Sequence, residues 1–131
     1  MNSIAKLFLV LGALNGALAV LLGAFGAHGL KKSLTEDLMQ VYQTGVQYHF
    51  YHTLGLLVIG AVALHLGESA LLKWSGWSML CGMLLFSGSL YALAISGIRV
   101  LGAITPIGGV FFIAAWVLLA LALSGAQPVD G

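Results

Sequence analysis

The chain has 131 residues, of which 60% are hydrophobic and only 7% are charged, and its mean hydropathy is +1.05. Soluble domains contain roughly 45–50% apolar and about 25% charged residues, so this composition excludes a soluble globular domain. It is also too apolar for a disordered chain, and a net charge of +1 is too small to predict a nucleic-acid partner. We therefore expect an integral membrane protein whose surroundings are the lipid bilayer.

Nine charged residues divide the chain into four long uncharged stretches, which are residues 7–30, 38–67, 74–98 and 100–129. Each stretch is long enough to cross about 30 Å of hydrocarbon as a helix, and none shows the alternation of a membrane strand. The sequence thus predicts an all-α polytopic membrane protein, folded as a four-helix up-down transmembrane bundle in a single domain over residues 1–131. The predicted spans are about 5–25, 45–66, 72–95 and 106–124.

Local signals refine where the second and fourth spans begin. The SLTE sequence at 33–36 has the pattern of a capping box, which predicts a helix start near Ser33. The stretch from Ser33 to the end of span two, as one helix, is longer than the membrane needs, and segment 34–44 is amphipathic. We therefore expect a short interfacial helix that is bent from span two at Gly45. Thr105 and Pro106 are typical of an N-cap followed by proline at the first helical position.

Small residues recur at four-residue spacing on spans one and three. In lipid, such rows let two helix backbones approach closely. Packing inside the bundle is the interpretation we favour, and self-association is the alternative. The residues assigned to helix packing are Gly12, Gly16, Gly23, Gly88 and Ala92, and Ser96 continues the second row. The pair Gly23 and Gly26 is also expected to let the backbone turn tightly where span one ends.

A strongly polar side chain inside a membrane span is a functional candidate because its burial is costly. Antiparallel packing would bring the end of span one, the start of span two, the end of span three and the start of span four to one membrane face. The candidate buried polar cluster consists of His28, His49, His52, Arg99, Ser87, Ser89 and Asn15, with Tyr91 within reach of the same layer. We expect His49 and His52 to point into the bundle as neutral imidazoles, and Arg99 to reach backbone carbonyls or headgroups.

Two histidines three residues apart could bind a metal, face a haem, relay protons or form structural hydrogen bonds. We favour hydrogen bonding, because no carboxylate lies nearby to complete a metal site. Cys81 is the only cysteine, so it can form neither a disulfide within the chain nor a zinc cluster. There is no Walker loop, nucleophile elbow or HExxH motif. The sequence therefore predicts no catalytic residue, no metal, no cofactor and no enzyme.

Four segments carry a family resemblance, and in chain order they are GALNGALAVLLGAFGAHGL, TGVQYHFYHTLGLL, LFSGSLYALAISG and LGAITPIGG. Together they resemble the family known as domain of unknown function 423, small bacterial inner-membrane proteins similar to eukaryotic transmembrane protein 256. The resemblance extends over about residues 3–124. It implies a multi-pass, four-helix protein of the bacterial inner (plasma) membrane, with no established activity and no assigned catalytic residue.

Two functions therefore remain open from the sequence. The favoured one is a non-enzymatic accessory or scaffold module that acts through helix packing, with itself or with a larger membrane partner. The alternative is a small oligomeric transport or ligand-binding protein that uses a histidine layer near one membrane face. Four helices are few for a transporter, because the common transporter folds repeat larger helix sets.

Overall fold

A computed structural model describes residues 1–125, and every secondary-structure element in this range is a helix. Its elements are α1 (Ser3–Phe25) with a π-helical turn (Gly26–Leu30), α2 (Glu36–Leu66), α3 (Ala70–Gly82), a second π-helical turn (Met83–Ser87), α4 (Gly88–Ser96), a 3-10 helix (Arg99–Ala103) and α5 (Thr105–Ser124). Four continuous segments are long and apolar enough to cross a membrane: Ser3–Leu30, Glu36–Leu66, Ala70–Ser96 and Arg99–Ser124. We call them spans one to four. The all-α, four-span architecture predicted from the sequence is confirmed.

The separate interfacial helix is the part of this prediction that is wrong. Helix α2 runs without interruption from Glu36 to Leu66 and passes through Gly45. Gly45 is buried against Tyr91 of span three, and a β-carbon at Gly45 would lie 3.0 Å from the tyrosine ring. The glycine is thus used for close helix contact rather than for a bend. The N-cap is Thr35, whose hydroxyl accepts a hydrogen bond from the Leu38 amide, and not Ser33.

The tight turn expected at the end of span one is also absent. Gly26 has helical dihedral angles, φ −62° and ψ −44°, and the chain stays helical to Leu30. A β-carbon at Gly26 would lie 2.3 Å from the ring of Tyr42, so any larger residue would collide with that ring. Tyr42 in turn donates a hydrogen bond to the carbonyl of Leu22. Gly26 therefore makes room for a tyrosine that joins spans one and two.

Spans one and two pack side by side in antiparallel register. A β-carbon at Gly12 would lie 2.8 Å from Leu57, one at Gly16 would lie 3.5 Å from Thr53, and one at Gly23 would lie 3.4 Å from Val46. These three glycines of α1 therefore lie at the contact with α2. Because lipid supplies no hydrophobic driving force between helices, this close van der Waals contact is what holds them together.

The row of small residues on span three, Gly88, Ala92 and Ser96, does not lie at a helix contact. A β-carbon at Gly88 would have no atom within 4 Å, and Ala92 and Ser96 are exposed. The expectation that this row packs inside the bundle is therefore wrong. Spans two and four contact another face of span three, where Ser87, Leu90 and Ala94 are buried.

Spans three and four approach each other closely at two glycines, and each glycine lies against a phenylalanine of the other span. A β-carbon at Gly82 would lie 2.3 Å from the ring of Phe112, and one at Gly108 would lie 2.3 Å from the backbone nitrogen of Phe86. At the start of α5 the N-cap is Ile104, while Pro106 lies in the first turn as expected. The hydroxyl of Thr105 does not cap the helix, because it is hydrogen bonded to Ser89 across the two spans, at 2.6 Å.

The start of span one is hydrogen bonded to the end of span two and to the loop between spans two and three. The Glu68 Oε1 atom accepts hydrogen bonds from the Ser3 hydroxyl at 2.6 Å and from the backbone amides of Ser3 and Ile4. Asn2 adds a bond from its side-chain nitrogen to the Ala63 carbonyl, at 2.8 Å. The hydrogen bonds to Glu68, above all that from the Ser3 hydroxyl, lower the pKa of its carboxyl group.

We predict that Gly108→Ala destabilises the protein and that Gly88→Ala does not. The new methyl at 108 would collide with the Phe86 backbone, which cannot move aside as a flexible side chain can. Overpacking of this kind costs about 1–3 kcal/mol of unfolding free energy. The unfolding free energy of both variants can be measured in mixed detergent micelles. Equal stability of the two would contradict the close contact between Gly108 and Phe86.

We also predict that the stabilising effect of Glu68 is lost at low pH. Its pKa is lower in the folded protein than in the unfolded chain, so its contribution is present above the unfolded value and disappears as the pH falls through the folded value. The melting temperatures of wild type and Glu68→Gln should therefore converge as the pH is lowered below about 4. A difference that persists unchanged well below that range, where Glu68 is protonated in both states, would show that the Glu68 charge contributes nothing.

Candidate functional site

The predicted polar cluster does not form as one layer. His49, His52, Ser87 and Ser89 are buried, and Asn15 is half-buried. His28 and Arg99, however, are exposed.

The placement of His28 and Arg99 corrects the prediction. His28 lies in the π-helical turn after α1, and Arg99 forms an exposed ion pair with Asp37 instead of reaching backbone carbonyls. Residues at one membrane face need not share one helix face, and charged side chains are most stable where water reaches them. Neither His28 nor Arg99 therefore belongs to the buried site.

His49 connects three spans through both of its ring nitrogens. Its Nδ1 lies 2.9 Å from the Tyr91 hydroxyl on span three, and its Nε2 lies 3.0 Å from Asn15 Oδ1 on span one. The Asn15 amide nitrogen donates to the Leu11 carbonyl at 2.9 Å, which fixes the orientation of the amide. Because Oδ1 can only accept, Nε2 must carry the proton, and Nδ1 of the neutral ring then accepts from Tyr91. We call Asn15, His49 and Tyr91 the polar triad.

The polar triad lies far along its spans from their charged residues. Asn15 is nine residues from the nearest charged residue of its span, Lys6, and His49 is twelve residues from Asp37. At 1.5 Å per residue these separations correspond to about 13 and 18 Å of helix. Such a depth explains why both nitrogens of His49 are hydrogen bonded, since an unpaired polar group there is costly.

A groove opens beside the polar triad, between spans one and three. Its volume is about 340 Å³, and it is lined chiefly by apolar side chains, with Asn15, His49 and Tyr91 as its polar members. Leu18 and Leu84 also line it, and these side chains are 46% and 74% exposed. The groove is therefore open sideways, toward the surface that lipid covers.

The second π-helical turn, Met83–Ser87, shapes one wall of this groove. Within it the Ser87 hydroxyl donates to the Gly45 carbonyl at 2.7 Å and so fixes span three against span two. Met83, Leu84 and, just after the turn, Gly88 line the groove. Turns of this type are rare in α-helices as a whole, but those that occur are frequently found at functional sites.

His52 belongs to a different environment from His49, although the two are only three residues apart. Its Nδ1 donates to the Tyr48 carbonyl at 2.6 Å. Its ring stacks on Phe112 with centroids 3.4 Å apart and planes 8° apart, and the ring centroid of Trp116 is 5.8 Å away. The two histidines thus occupy separate sites, His49 at the groove and His52 in an aromatic cluster, and each forms the hydrogen bonds that the sequence analysis favoured.

The arrangement offers no metal centre within residues 1–125. No group of three or more His, Cys, Asp or Glu side chains is placed to hold a metal ion there. Metal binding by His49 would also require one of its two hydrogen bonds to break. The lone Cys81 is exposed on span three.

Two features of the site had no usable signal in the sequence. Phe112 stacks on His52, but one phenylalanine in a uniformly apolar span resembles any other. The Thr53 hydroxyl is buried without a hydrogen-bond partner among the described residues, and only the fold shows that it is enclosed.

The model of the family described as protein of unknown function (DUF423) matches residues 22–109. The UPF0382 membrane protein YwdK of Bacillus subtilis is 51% identical over 117 residues, which is 89% of this chain and 95% of the relative. UPF0382 membrane proteins of Staphylococcus epidermidis and Staphylococcus haemolyticus are 49% and 50% identical, over 89% and 87% of this chain and 94% and 92% of theirs.

The chain belongs to the DUF423 family. It is a membrane protein of an uncharacterised family, and no catalytic activity is indicated for that family. No solved structure matches the chain. The segment that the DUF423 model matches includes His49 and Tyr91 and begins after Asn15.

We predict that the two buried histidines are neutral and carry their protons on opposite nitrogens. His49 should carry it on Nε2 because Asn15 Oδ1 only accepts, and His52 on Nδ1 because the Tyr48 carbonyl only accepts. The ¹⁵N chemical shifts of histidine-labelled protein at pH 7 distinguish these forms. Identical tautomers at both positions, or a charged ring, would contradict the assignment.

Proposed function

We propose that this DUF423 protein is a non-enzymatic membrane module that binds a lipid-soluble, amphipathic small molecule in the groove between spans one and three. The observation that carries the proposal is the polar triad at the wall of an apolar, sideways-open groove. Ligand sites in proteins are typically about 300–1,000 Å³, mostly apolar, with a few polar groups that orient the ligand. The groove, at about 340 Å³, has this composition and size.

The hydrogen bonds of the polar triad support binding rather than catalysis or proton transfer. Both His49 nitrogens are bonded to neutral groups, so the imidazole is not free to act as a general base. The chain of hydrogen bonds ends at the Asn15 amide, which does not accept a proton near neutral pH. A transmembrane proton path through the triad would therefore stop there.

We further propose the bacterial inner (plasma) membrane as the location. The described spans are apolar helices, whereas the transmembrane barrels of bacterial outer membranes are built from strands.

An accessory or scaffold role, through self-association or with a larger membrane partner, is the second candidate. It is favoured by the row of Gly88, Ala92 and Ser96, because a β-carbon at Gly88 would meet no atom within 4 Å and because Ala92 and Ser96 are exposed. Small residues on an open face let another helix approach closely. Of these three residues, Gly88 also lines the groove, so variants at Gly88 and Ala92 separate the two roles.

The first experiment uses decanol that carries a photoreactive diazirine on its tail, added to the purified protein in detergent. We predict saturable labelling of groove residues such as Leu18 and Leu84, mapped by mass spectrometry and displaced by plain decanol. Gly88→Leu should reduce the saturable labelling about tenfold, since the new side chain occupies the groove. The matched control Ala92→Leu, one turn away, should leave it unchanged.

The same two variants test the second candidate through their oligomeric state. Unsaturable labelling spread over all exposed apolar residues, unchanged by Gly88→Leu, would reject the ligand-binding role. If, in addition, both variants convert an oligomer to a monomer, the accessory role takes its place.

A further inference from the structure

The polar triad leaves a defined set of unused hydrogen-bonding atoms. Asn15 uses one of its two N–H groups on the Leu11 carbonyl and its Oδ1 on His49. The second N–H remains as a donor. Asn15 is half-buried and lines the groove, so a ligand that fills the groove must either accept this hydrogen bond or leave the donor without one.

Tyr91 offers the groove a hydrogen-bond acceptor rather than a donor. Its hydroxyl proton is committed to Nδ1 of His49, because that nitrogen is the acceptor of the neutral ring. The Tyr91 oxygen therefore has acceptor capacity left but no proton to offer. Tyr91 is also half-buried and lines the groove. His49 does not need to touch the ligand: its tautomer decides that Asn15 donates and Tyr91 accepts, which makes it a positioning residue.

The donor and the acceptor lie on opposite edges of the His49 ring. They are separated by the imidazole and by hydrogen bonds of 2.9 and 3.0 Å. A single hydroxyl group is too small to bridge this separation. A six-membered ring with polar atoms at opposite positions can instead present one polar atom to each edge.

The remaining walls of the groove suit an apolar tail. Leu18, Met83 and Leu84 line it, and the two leucines are also exposed toward lipid. A hydrocarbon chain attached to the ring can leave through this opening without displacing any part of the bundle.

We propose, building on the binding role of the groove, that its ligand has a phenol-type head: a ring with a hydroxyl that donates to Tyr91 and an oxygen on the opposite side that accepts from Asn15, followed by a hydrocarbon tail. A ring with two acceptors and no hydroxyl fits less well. To bind it, Tyr91 would have to turn its proton away from His49 and leave Nδ1 unpaired, which is costly inside the membrane.

The test compares two probes of almost identical size. One is p-decyloxyphenol, which has one hydroxyl donor and one ether acceptor, and the other is its methyl ether, which has two acceptors and no donor. Both are titrated into the wild-type protein in detergent and their dissociation constants are measured by calorimetry. We expect the phenol to bind about tenfold more tightly, the effect of one hydrogen bond in a desolvated site.

Two variants then test whether Tyr91 is responsible for the preference for the phenol. Tyr91→Phe removes the acceptor and should abolish the preference for the phenol. Tyr42→Phe is the matched control, because Tyr42 donates to the Leu22 carbonyl and does not line this groove, and it should keep the preference. If Tyr91→Phe does not fold, the comparison of the two probes on the wild-type protein still decides the matter.

The possible outcomes separate the two proposals. Equal affinity for both probes, or tighter binding of the ether, overturns the phenol-type head while the groove remains a ligand site. A preference retained in Tyr91→Phe overturns the role of Tyr91. If neither probe binds and diazirine decanol labels no groove residue saturably, the proposed binding function itself fails.

Discussion

The fold depends on how closely its helices approach one another. Hydrocarbon surrounds the spans, so apolar side chains gain little by leaving it for a protein interface, and the helices must be held together by contact and hydrogen bonding. Glycine provides that contact at Gly12 against Leu57, at Gly82 against Phe112 and at Gly108 against Phe86. A few interhelical hydrogen bonds, such as Ser75 to the Ala115 carbonyl at 2.7 Å, supplement these contacts.

The groove follows from the same constraint, because the glycine contacts are unevenly distributed. Spans one and two have them along most of their length, and spans three and four have theirs at Gly82 and Gly108. Spans one and three meet near the start of span one, where the Phe8 ring lies over Gly76. Further along, the polar triad holds them at the distance of an imidazole with a hydrogen bond on either side. His49 thus both joins the two spans and keeps them apart.

The sequence predicted the number and type of spans well because long uncharged stretches allow few alternatives. It could not predict how each helix is rotated. Gly26 and Gly45 were interpreted as bends, since glycine permits them, yet both accommodate a tyrosine ring. His28 and His49 were both expected in the buried cluster, but His28 is exposed and only His49 is buried. In a span that is apolar on every side, hydrophobic periodicity cannot indicate which side is buried, so the site residues were harder to assign than the spans.

The attachment of the start of span one to later parts of the chain has a consequence for biosynthesis. Asn2 and Ser3 are bonded to Ala63 and Glu68, residues that leave the ribosome only after nearly all of α2 has been made. Span one therefore enters the membrane before its own first turn can be fastened. Val46 and Thr53, which face the span-one glycines, are made before Ala63 and Glu68, so the order of synthesis lets helix pairing begin before the loop can dock.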